Sequence, residues 1–443
     1  MQKGYFIGLG SNIAPGTNMA DALTRLADLF GPLEISRIVE TAPTAGLNGP
    51  FLNAVAYLRS ELNGAELKSR LCSLETAFGR DRTDPNRGRK DRAIDLDILL
   101  EVEGNNIQVA AEAIPDEPYY RPSMLELART MGLACSAPSG SVWPRTEIVL
   151  AGGPVGLRPT RLSVMHGVQT VQERRAALVT GAAVRLGNAI AKMLARSGYD
   201  IALHYNSSRN AAQAAAEEIR SFGVRCELFQ QDLGDWVGIP RLVSDAVERL
   251  PHLDLLVNSA SVYDKARIAE TTPEMLEQQW AVNFKAPFFL IKEFASRVGH
   301  GSIINLLDNK IAFNQFQYAA YLGSKKALAE LTKMAALEFA PRIRVNGVAP
   351  GVVLPPAGRE PSYLEWRRQT IPTRTLGNPT QICAAVDALL RNEFMNGQIV
   401  FVDGGESMNF VGRNLDSYAA HDGQAEPARP VLANTETSPG KAA

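Results

Sequence analysis

A tyrosine and a lysine four residues apart are the first side chains in this sequence that could do chemistry together. Tyr321 and Lys325 follow an apolar, strand-like segment at 302–306 and begin an apolar helical pattern. Residues four apart on a helix share a face, and an ammonium group beside a phenol lowers the pKa of the phenol. The pair therefore predicts a general acid that works near neutral pH.

A glycine-containing turn between a strand and a helix predicts a phosphate site. Residues 180–187 have the sequence TGAAVRLG and follow the apolar strand 176–179. Gly181 would supply the tight turn and Gly187 the close packing of the helix, whose first N–H groups would hold a pyrophosphate. The alternative is a plain strand–turn–helix junction.

The end of the next strand indicates which cofactor is bound. His204 lies 23 residues beyond Gly181, near the spacing at which NAD-binding folds place an acidic residue for the ribose hydroxyls. Because Ser207, Ser208 and Arg209 follow instead of an acid, a 2′-phosphate would be bound there, and NADPH is favoured over NADH. The alternative is a solvated polar loop.

Two aspartates nearer the N-terminus suggest metal–nucleotide chemistry. Asp95 and Asp97 alternate along an apolar strand, which places both carboxylates on one face about 7 Å apart. Such a pair suits Mg²⁺ on a nucleotide triphosphate. Arginines that could clamp phosphates precede them: Arg80, Arg82, Arg87, Arg89 and Arg92. As a bare pattern, an edge strand with outward charges explains these residues more simply.

The apolar patterns that must position these residues divide the chain into zones. Residues 1–132 mix strand and helix patterns, and residues 133–173 are interpreted as a domain end and linker. Residues 174–408 alternate fully apolar strands with helices, which predicts a parallel sheet covered on both faces. The Ser/Pro/Ala/Gly-rich residues 409–443 are expected to be a disordered tail.

The composition narrows the function classes. The 443 residues suffice for two or three domains, and 46 Lys+Arg against 47 Asp+Glu argue against nucleic acid or an anionic membrane as a partner. The sequence has no membrane-length apolar run. The four cysteines form no CxxC motif and the five histidines are scattered, so a transition-metal site is not expected and the cytoplasm is the default location.

The second half, about residues 174–408, resembles the short-chain dehydrogenase/reductases. The resemblance depends on TGAAVRLG (180–187), VNSAS (257–261), VN (282–283), YLGSK (321–325), RVNGVAPG (344–351) and VDGG (402–405). It implies a Rossmann-type doubly wound sheet that binds NADPH. The cofactor-binding residues it implies are Thr180, Gly181, Arg185, Leu186, Gly187, His204, Asn206, Ser207, Ser208, Arg209, Asp232, Asn258, Ala260, Ser261, Lys325, Pro350 and Gly351.

Two departures from that family resemble its pteridine reductase branch. Arg185 replaces the middle glycine of the turn, and Asp308 stands where the catalytic serine is usual, 13 residues before Tyr321. An Asp–Tyr pair can relay a proton to a ring nitrogen of a dihydropterin better than a serine can. Arg185 would add a cation between the cofactor phosphates and the pterin.

The resemblance also implies individual roles. Asp308 and Tyr321 would supply the proton, Lys325 would bind the nicotinamide ribose and lower the pKa of Tyr321, and Asn283 would support a water beside Lys325. Tyr263 would stack on the pterin, with Ser261 and Arg185 also in contact. The simpler alternatives are a surface aromatic for Tyr263 and a helix cap for Asp308.

The first 130 residues are similar to 6-hydroxymethyl-7,8-dihydropterin pyrophosphokinase. The similarity lies in GLGSN (8–12), FLNAV (51–55), LETAFGR (74–80) and RAIDLD (92–97). It implies a ferredoxin-like α+β fold and transfer of a pyrophosphoryl group from ATP to the pterin hydroxymethyl group. Asp95 and Asp97 would hold Mg²⁺, while the other site residues it implies are Glu75, Arg82 and Arg92 for ATP, and Phe51 and Asn53 for the pterin.

Three residues depart from the kinase pattern: Ser123 for a stacking aromatic, Asp116 for a histidine and Asp91 for a proline. We expect a bifunctional folate-pathway enzyme acting on small pterins, with a homotetramer through the reductase half. The alternatives are a working reductase that carries a non-catalytic kinase-like module, and a reductase for an unrelated carbonyl.

Overall fold

The computed structural model describes residues 3–42, 49–80, 91–102, 108–109, 114–135, 143–354 and 361–408. The expected disordered tail at 409–443 lies outside the described residues, as do three of the predicted phosphate-binding arginines: Arg82, Arg87 and Arg89. Across the described ranges, no helix has the length and hydropathy needed to span a bilayer.

The first half is built on an antiparallel sheet. Its elements are β1 (Lys3–Ser11), α1 (Pro15–Phe30), β2 (Leu33–Ile35), β3 (Val39–Thr41), β4 (Phe51–Ser60), α2 (Gly64–Ala77), β5 (Asp95–Val102), β6 (Gln108–Val109), α3 (Arg121–Thr130), β7 (Ala134–Cys135), β8 (Ile148–Leu150), β9 (Gly153–Val155), β10 (Thr160–Met165) and β11 (Val168–Glu173). The strand order is β11-β10-β2-β4-β1-β5, with β3 paired to β4. The predicted α+β class of this half is confirmed.

Alternation along β1 places apolar side chains on both faces of this sheet. Ile7 and Leu9 share a buried cluster with residues of α1 and α2, such as Leu23 and Leu71. Phe6 points the other way and packs with residues of α3. Because both faces are covered, the strand can be almost wholly apolar.

The segment interpreted as a domain end and linker contributes strands to the first sheet. β10 pairs with β2 and β11 pairs with β10, with Leu162 of β10 opposite Leu33. Leu162 is buried in the same cluster as α1. Arg158 lies between β9 and β10 and contacts the second half of the chain. Its Nη2 is 3.2 Å from Asp254 Oδ2.

The second half is a parallel sheet. Its elements are β12 (Arg175–Val179), α4 (Arg185–Arg196), β13 (Tyr199–Tyr205), α5 (Arg209–Ser221), β14 (Cys226–Gln230), α6 (Ile239–Arg249), β15 (Leu253–Asn258), α7 (Pro273–Trp280), α8 (Ala286–Arg297), β16 (Gly301–Leu306), α9 (Ala319–Phe339), β17 (Ile343–Pro350), α10 (Pro361–Arg368), α11 (Pro379–Arg391) and β18 (Ile399–Val402). The order is β14-β13-β12-β15-β16-β17-β18.

Helices cover both faces of the parallel sheet. Residues of α4, α5 and α11 form one buried cluster, and residues of α6, α8 and α9 form the other. The predicted Rossmann-type, doubly wound sheet is confirmed. The strand order reverses between β12 and β15, and ligands of such sheets bind at the carboxyl ends of the strands beside this point.

Candidate active sites

A cavity of about 780 Å³ lies at the carboxyl ends of the parallel strands. It is lined by most of the reductase residues predicted from the sequence: Gly181, Arg185, Leu186, Gly187, His204, Asn206, Ser207, Ser208, Asp232, Ala260, Ser261, Tyr263, Asp308, Tyr321, Lys325, Pro350 and Gly351. Four of the predicted residues are not part of the lining: Thr180, Arg209, Asn258 and Asn283. The glycine turn, the polar loop and the acid–phenol–amine group therefore share one cavity.

The glycine turn has no room for larger residues. Gly181 has φ +63°, and a Cβ there would lie 2.9 Å from Ala260 Cα. A Cβ on Gly187 would lie 2.4 Å from the carbonyl oxygen of Gly181. Arg185, in the place of the usual middle glycine, keeps a left-handed φ of 55°, a conformation that costs a non-glycine residue energy. The backbone thus comes close enough to cradle a pyrophosphate.

His204 supports this turn from below. Its Nδ1 accepts a hydrogen bond from Gly181 N at 3.2 Å, and its Nε2 lies 2.9 Å from the carbonyl oxygen of Gln231. Burial lowers the pKa of His204 to about 4, so the imidazole is neutral at neutral pH. Both ring nitrogens of His204 therefore bond to the backbone, and the side chain holds the glycine turn in place.

The polar loop after β13 is exposed. Ser207 and Ser208 line the cavity, whereas Arg209 begins α5 and does not. Asn206 Nδ2 lies 3.4 Å from Asp232 Oδ1, which ties the loop to the end of β14. The two serines are therefore the members of the predicted phosphate loop that face the cavity.

The centre of the reductase site is a carboxylate–phenol pair. Tyr321 Oη donates a hydrogen bond to Asp308 Oδ2 at 2.8 Å, and Asp308 Oδ1 accepts one from Lys310 N at 2.9 Å. The second bond caps the 3₁₀ helix Asn309–Ala312. Both interpretations of Asp308 hold, because one oxygen caps the helix while the other holds the phenol.

Burial and Asp308 raise the pKa of Tyr321 well above its ordinary value. Lys325 was expected to lower this pKa, but burial and Asp308 are the larger influences and set its direction. Lys325 Nζ donates instead to the carbonyl oxygen of Leu306 at 2.8 Å, and burial lowers the pKa of Lys325 itself to about 8. Tyr321 therefore stays a neutral phenol that can donate a proton.

Asn283 holds the loop beside the phenol. It lies in the π-helical turn Ala281–Lys285, and its Oδ1 accepts hydrogen bonds from Ser261 Oγ and Val262 N, both at 3.0 Å. Its Nδ2 donates to the carbonyl oxygen of Val262 at 2.9 Å. The amide thus fixes the loop that presents Ser261 and Tyr263 to the cavity.

Thr180 and Asn258 act within the protein interior. Thr180 Oγ1 accepts hydrogen bonds from Ser259 N at 2.9 Å and Ala260 N at 3.1 Å. Asn258 Nδ2 donates to Asn305 Oδ1 at 2.8 Å. Both buried side chains join neighbouring strand ends, so they shape the cavity floor without facing it.

Tyr263 belongs to an aromatic group at the cavity mouth. It stacks on Tyr318 with ring centroids 4.5 Å apart and meets Tyr321 edge-on at 4.6 Å. Its side chain is 41% exposed. Sequence reasoning missed Tyr318 and Lys310, which both line the cavity. Their positions in the sequence could have indicated them, since Tyr318 lies three residues before Tyr321 and Lys310 lies two residues after Asp308.

The paired aspartates of the first half are held by cations. Asp95 forms ion pairs with Arg80 and Arg92, and Lys68 Nζ lies 2.7 Å from Asp97 Oδ1. Burial raises the pKa of Asp95, but the bonds with Arg80 and Arg92 outweigh burial and lower it below its ordinary value. Both groups are hard oxygen donors on one strand face, which fits Mg²⁺.

Glu75, predicted from the family resemblance as an ATP-site residue, lies beneath the surface beside Arg80. It is completely buried, its Oε1 accepts a hydrogen bond from Leu96 N at 2.7 Å, and it lies 3.0 Å from Arg80 Nη1. The side chain therefore joins α2 to β5 and orients Arg80. Glu75 would therefore affect ATP binding indirectly, by positioning Arg80.

The predicted pterin-binding residues lie nearby on β4. Asn53 is buried and its Nδ2 donates to Thr41 Oγ1 at 2.9 Å, while Phe51 is half-buried. Ser123 is only 2% exposed, within α3, so it offers no stacking surface. Tyr120 fills the space over Gly8, where a Cβ would lie 2.8 Å from its ring.

The other two departures from the kinase pattern make local contacts. Asp116 Oδ1 accepts a hydrogen bond from Arg121 Nη1 at 3.0 Å, and Asp91 Oδ1 accepts one from Asn12 Nδ2 at 2.6 Å. Asn12 in turn accepts from Arg92 N at 2.7 Å. Asp91 therefore fixes the backbone from which Arg92 reaches Asp95.

Known proteins resemble both halves. A family model for enoyl-(acyl carrier protein) reductase matches residues 181–407, and one for 7,8-dihydro-6-hydroxymethylpterin-pyrophosphokinase matches residues 6–129. A short-chain type dehydrogenase/reductase of Picea abies is 31% identical over 249 residues, covering 52% of this chain and 92% of that protein. The chain belongs to the short-chain dehydrogenase/reductase family. Its N-terminal part is a pterin pyrophosphokinase-type domain.

Two further proteins resemble the short-chain reductase half. Versicolorin reductase of Emericella nidulans is 28% identical over 255 residues, covering 52% of this chain and 95% of that protein. The crystal structure of FolM alternative dihydrofolate reductase 1 from Brucella suis in complex with NADP is 30% identical. It has a TM-score of 0.51 and covers 54% of this chain and 97% of that one. Among short-chain reductases, this chain is thus similar to one that is described as a dihydrofolate reductase.

Proposed function

We propose that this chain is a bifunctional pterin enzyme, an NADPH-dependent dihydropterin or dihydrofolate reductase fused to an ATP-dependent hydroxymethyl-dihydropterin pyrophosphokinase. The observation that supports the reductase best is the Tyr321–Asp308 hydrogen bond, which lies in the same cavity as the glycine turn. The similarity to the FolM dihydrofolate reductase with its NADP supports the same substrate class and cofactor.

The reductase cavity fits a nicotinamide dinucleotide. Gly181 leaves the space that a pyrophosphate needs, and Ser207 and Ser208 face the cavity where a 2′-phosphate would be bound. Lys325 would hold the nicotinamide ribose. When bound, NADPH supplies the hydride that the substrate C=N carbon receives.

The proton comes from the protein. Tyr321 Oη carries it as a neutral phenol, and Asp308 Oδ2 holds that hydroxyl in place at 2.8 Å. After Tyr321 gives its proton to the ring nitrogen, Asp308 can pass one back from solvent, because the carboxylate is only partly buried. Tyr263 would stack on the pterin ring, and Asn283 would keep the loop carrying Tyr263 in position.

The kinase half would bind Mg²⁺ through Asp95 and Asp97, and the metal would neutralise the phosphates of ATP. Arg80, Arg92 and Lys68 surround these carboxylates and can hold phosphate oxygens. Phe51 and Asn53 would contact the pterin. The alternative, a kinase-like domain without activity, makes the opposite prediction for AMP release.

Two assays test the proposed function. NADPH turnover should occur with dihydrobiopterin or dihydrofolate, and AMP should be released from ATP only when hydroxymethyl-dihydropterin is present, with the Asp97→Ala variant as the blank. Failure to oxidise NADPH with any dihydropterin or dihydrofolate would refute the reductase proposal. Absence of AMP release would leave the non-catalytic module.

We also propose a homotetramer assembled through the reductase half, in the cytoplasm. Large apolar side chains are exposed on α7, α8 and α9, at Leu276, Phe288, Met334 and Leu337, and such patches are typical of protein interfaces. The described thiols of Cys72, Cys226 and Cys383 are free, which suits a reducing compartment. Light scattering of the full chain would measure the assembly, and a monomeric mass would contradict it.

A further inference from the structure

The ammonium group of Lys310 lies in an aromatic setting at the mouth of the reductase cavity. Its Nζ is 4.7 Å from the ring centroid of Tyr263 and 4.9 Å from that of Tyr318. The same atom lies 2.5 Å from Tyr263 Oη. The two stacked rings therefore hold one half-buried cation beside the cavity.

No carboxylate neutralises this cation within the described part of the chain, since none lies within 4.0 Å of its Nζ. Asp308, two residues earlier, directs its oxygens to Tyr321 Oη and to the backbone N–H of Lys310. Asp264, on the facing loop, accepts a hydrogen bond from Gln279 Nε2 at 2.7 Å. The ammonium therefore has N–H groups left for a ligand.

The facing loop adds a second cation to this mouth. Lys265 lines the same cavity two residues after Tyr263. Ala266 and Tyr318 form a β-bridge, which joins the loop that carries Lys265 to the segment that follows Lys310. The proton-donating end of the cavity at Tyr321 thus opens outward between two lysines.

We propose that Lys310 binds a carboxylate on the tail of the substrate, so that the reductase favours dihydropterins with an anionic tail over those with a neutral side chain. This inference rests on the proposed reductase function. A pterin ring placed between Tyr263 and the nicotinamide would direct its side chain out of the cavity, past the Lys310 ammonium. The tyrosine rings stabilise that ammonium through their faces, which keeps it oriented for the incoming anion.

The test compares two substrates in the full-length enzyme. Dihydrofolate carries two carboxylates on its tail, and dihydrobiopterin carries only hydroxyls. In Lys310→Met, the ratio of kcat/KM for dihydrofolate to that for dihydrobiopterin should fall about fivefold, the effect of losing one partly exposed ion pair. The loss should appear mainly in the KM for dihydrofolate. Lys310→Glu should lower the ratio further.

Salt provides an independent measurement. The KM for dihydrofolate of the unaltered enzyme should rise with ionic strength, because salt screens the ion pair, and this dependence should weaken in Lys310→Met. Lys326→Met is the matched control, since Lys326 bonds Asn314 outside the cavity lining. It should leave both the ratio and the salt dependence unchanged.

The possible outcomes distinguish failure of the tail-binding inference from failure of the proposed reductase function. Equal losses with both substrates in Lys310→Met would overturn the inference, since they would show that Lys310 only supports the Tyr263 ring. The absence of a loss with either substrate would overturn it too. If the unaltered enzyme turned over neither substrate, the proposed reductase function would fail first, and the tail site with it.

Discussion

The two candidate sites use the same side chain in opposite ways. In the reductase half, Asp308 accepts hydrogen bonds from a phenol and a backbone N–H. In the kinase half, Asp95 is held by two guanidinium groups and Asp97 by an ammonium. A carboxylate bonded to a phenol can exchange a proton, whereas one paired with arginine keeps its negative charge. The partner decides whether an aspartate moves protons or organises charge.

The pKa directions agree with this difference. Burial and Asp308 raise the pKa of Tyr321, so the proton stays available between the two groups. At Asp95, Arg80 and Arg92 overcome the effect of burial and lower the pKa, so the carboxylate remains ionised for a metal. One site is arranged for proton transfer and the other for divalent cations and phosphates.

Removing the phenol should produce the largest effect and should leave the other site unaffected. Tyr321→Phe is expected to lower kcat for dihydropterin reduction by about 10²- to 10⁴-fold, the usual contribution of a general acid. NADPH oxidation measures this loss. AMP release by the same preparation is the internal control and should be unchanged, which would show that the chain is folded.

Asp308→Asn tests the partner of the phenol. The amide can still accept a hydrogen bond from Tyr321 but cannot take up and return a proton, so kcat should fall nearly as far as in Tyr321→Phe. Near-normal turnover in Asp308→Asn would show that Tyr321 works alone. The contrast between an aspartate that moves a proton and aspartates that hold charge would then be lost.

The next prediction concerns the kinase half alone. Asp97→Ala should reduce pterin-dependent AMP release by about 100-fold or more, because one of two carboxylates for Mg²⁺ is removed. The Asp97 side chain is 51% exposed, so the fold should tolerate the change. Reductase turnover should be unaffected. Equal AMP release in Asp97→Ala and the unaltered chain would mean that the acidic pair is not the metal site.

A further prediction concerns the pH dependence of cofactor use by the reductase half. Burial lowers the pKa of Lys325 from 10.5 to about 8, so the ammonium loses its proton as the pH rises through that value in the free enzyme. The neutral amine binds the cofactor less well, and kcat/KM for NADPH should therefore fall above about pH 8, by up to about tenfold per pH unit. Lys325→Arg should lack this inflection, because a guanidinium stays charged. A profile that is flat through this range in the unaltered enzyme would contradict the assignment.

The parts of both sites that depend on local spacing could be predicted from the sequence. Tyr321 and Lys325 lie one helical turn apart and Asp95 and Asp97 alternate on a strand, so their common faces follow from helix and strand geometry. The turn at Gly181 follows from the need for positive φ. The parallel sheet follows from the fully apolar strands that alternate with helices, whereas the fold of the first half came from the family resemblance.

Contacts between distant segments could not be predicted in this way. Glu75 has the residue type of a nucleotide contact, but the packing of α2 on β5 buries it against Leu96. The pKa of Tyr321 depends on burial and on Asp308, and the lysine four residues away donates to Leu306 instead. Strands β10 and β11 look like linker, because β2, the strand through which β10 joins the sheet, lies more than a hundred residues earlier in the chain.

The smallest expected effect is that of Lys68 on Mg²⁺ binding, and it tests whether the cations of the kinase half serve the carboxylates or the nucleotide. Lys68 pairs with Asp97 at 2.7 Å, and both side chains are substantially exposed, so the pair contributes about 1 kcal/mol or less. In Lys68→Met, Asp97 loses the ammonium group bonded to it, and half-saturation by Mg²⁺ should occur at a concentration lower by about two- to fivefold. Pterin-dependent AMP release titrated with Mg²⁺ measures this shift, and Lys333→Met on the outer face of α9 is the control. If the KM for ATP rises instead, Lys68 binds phosphate during turnover, and the cations around Asp97 belong to the nucleotide site.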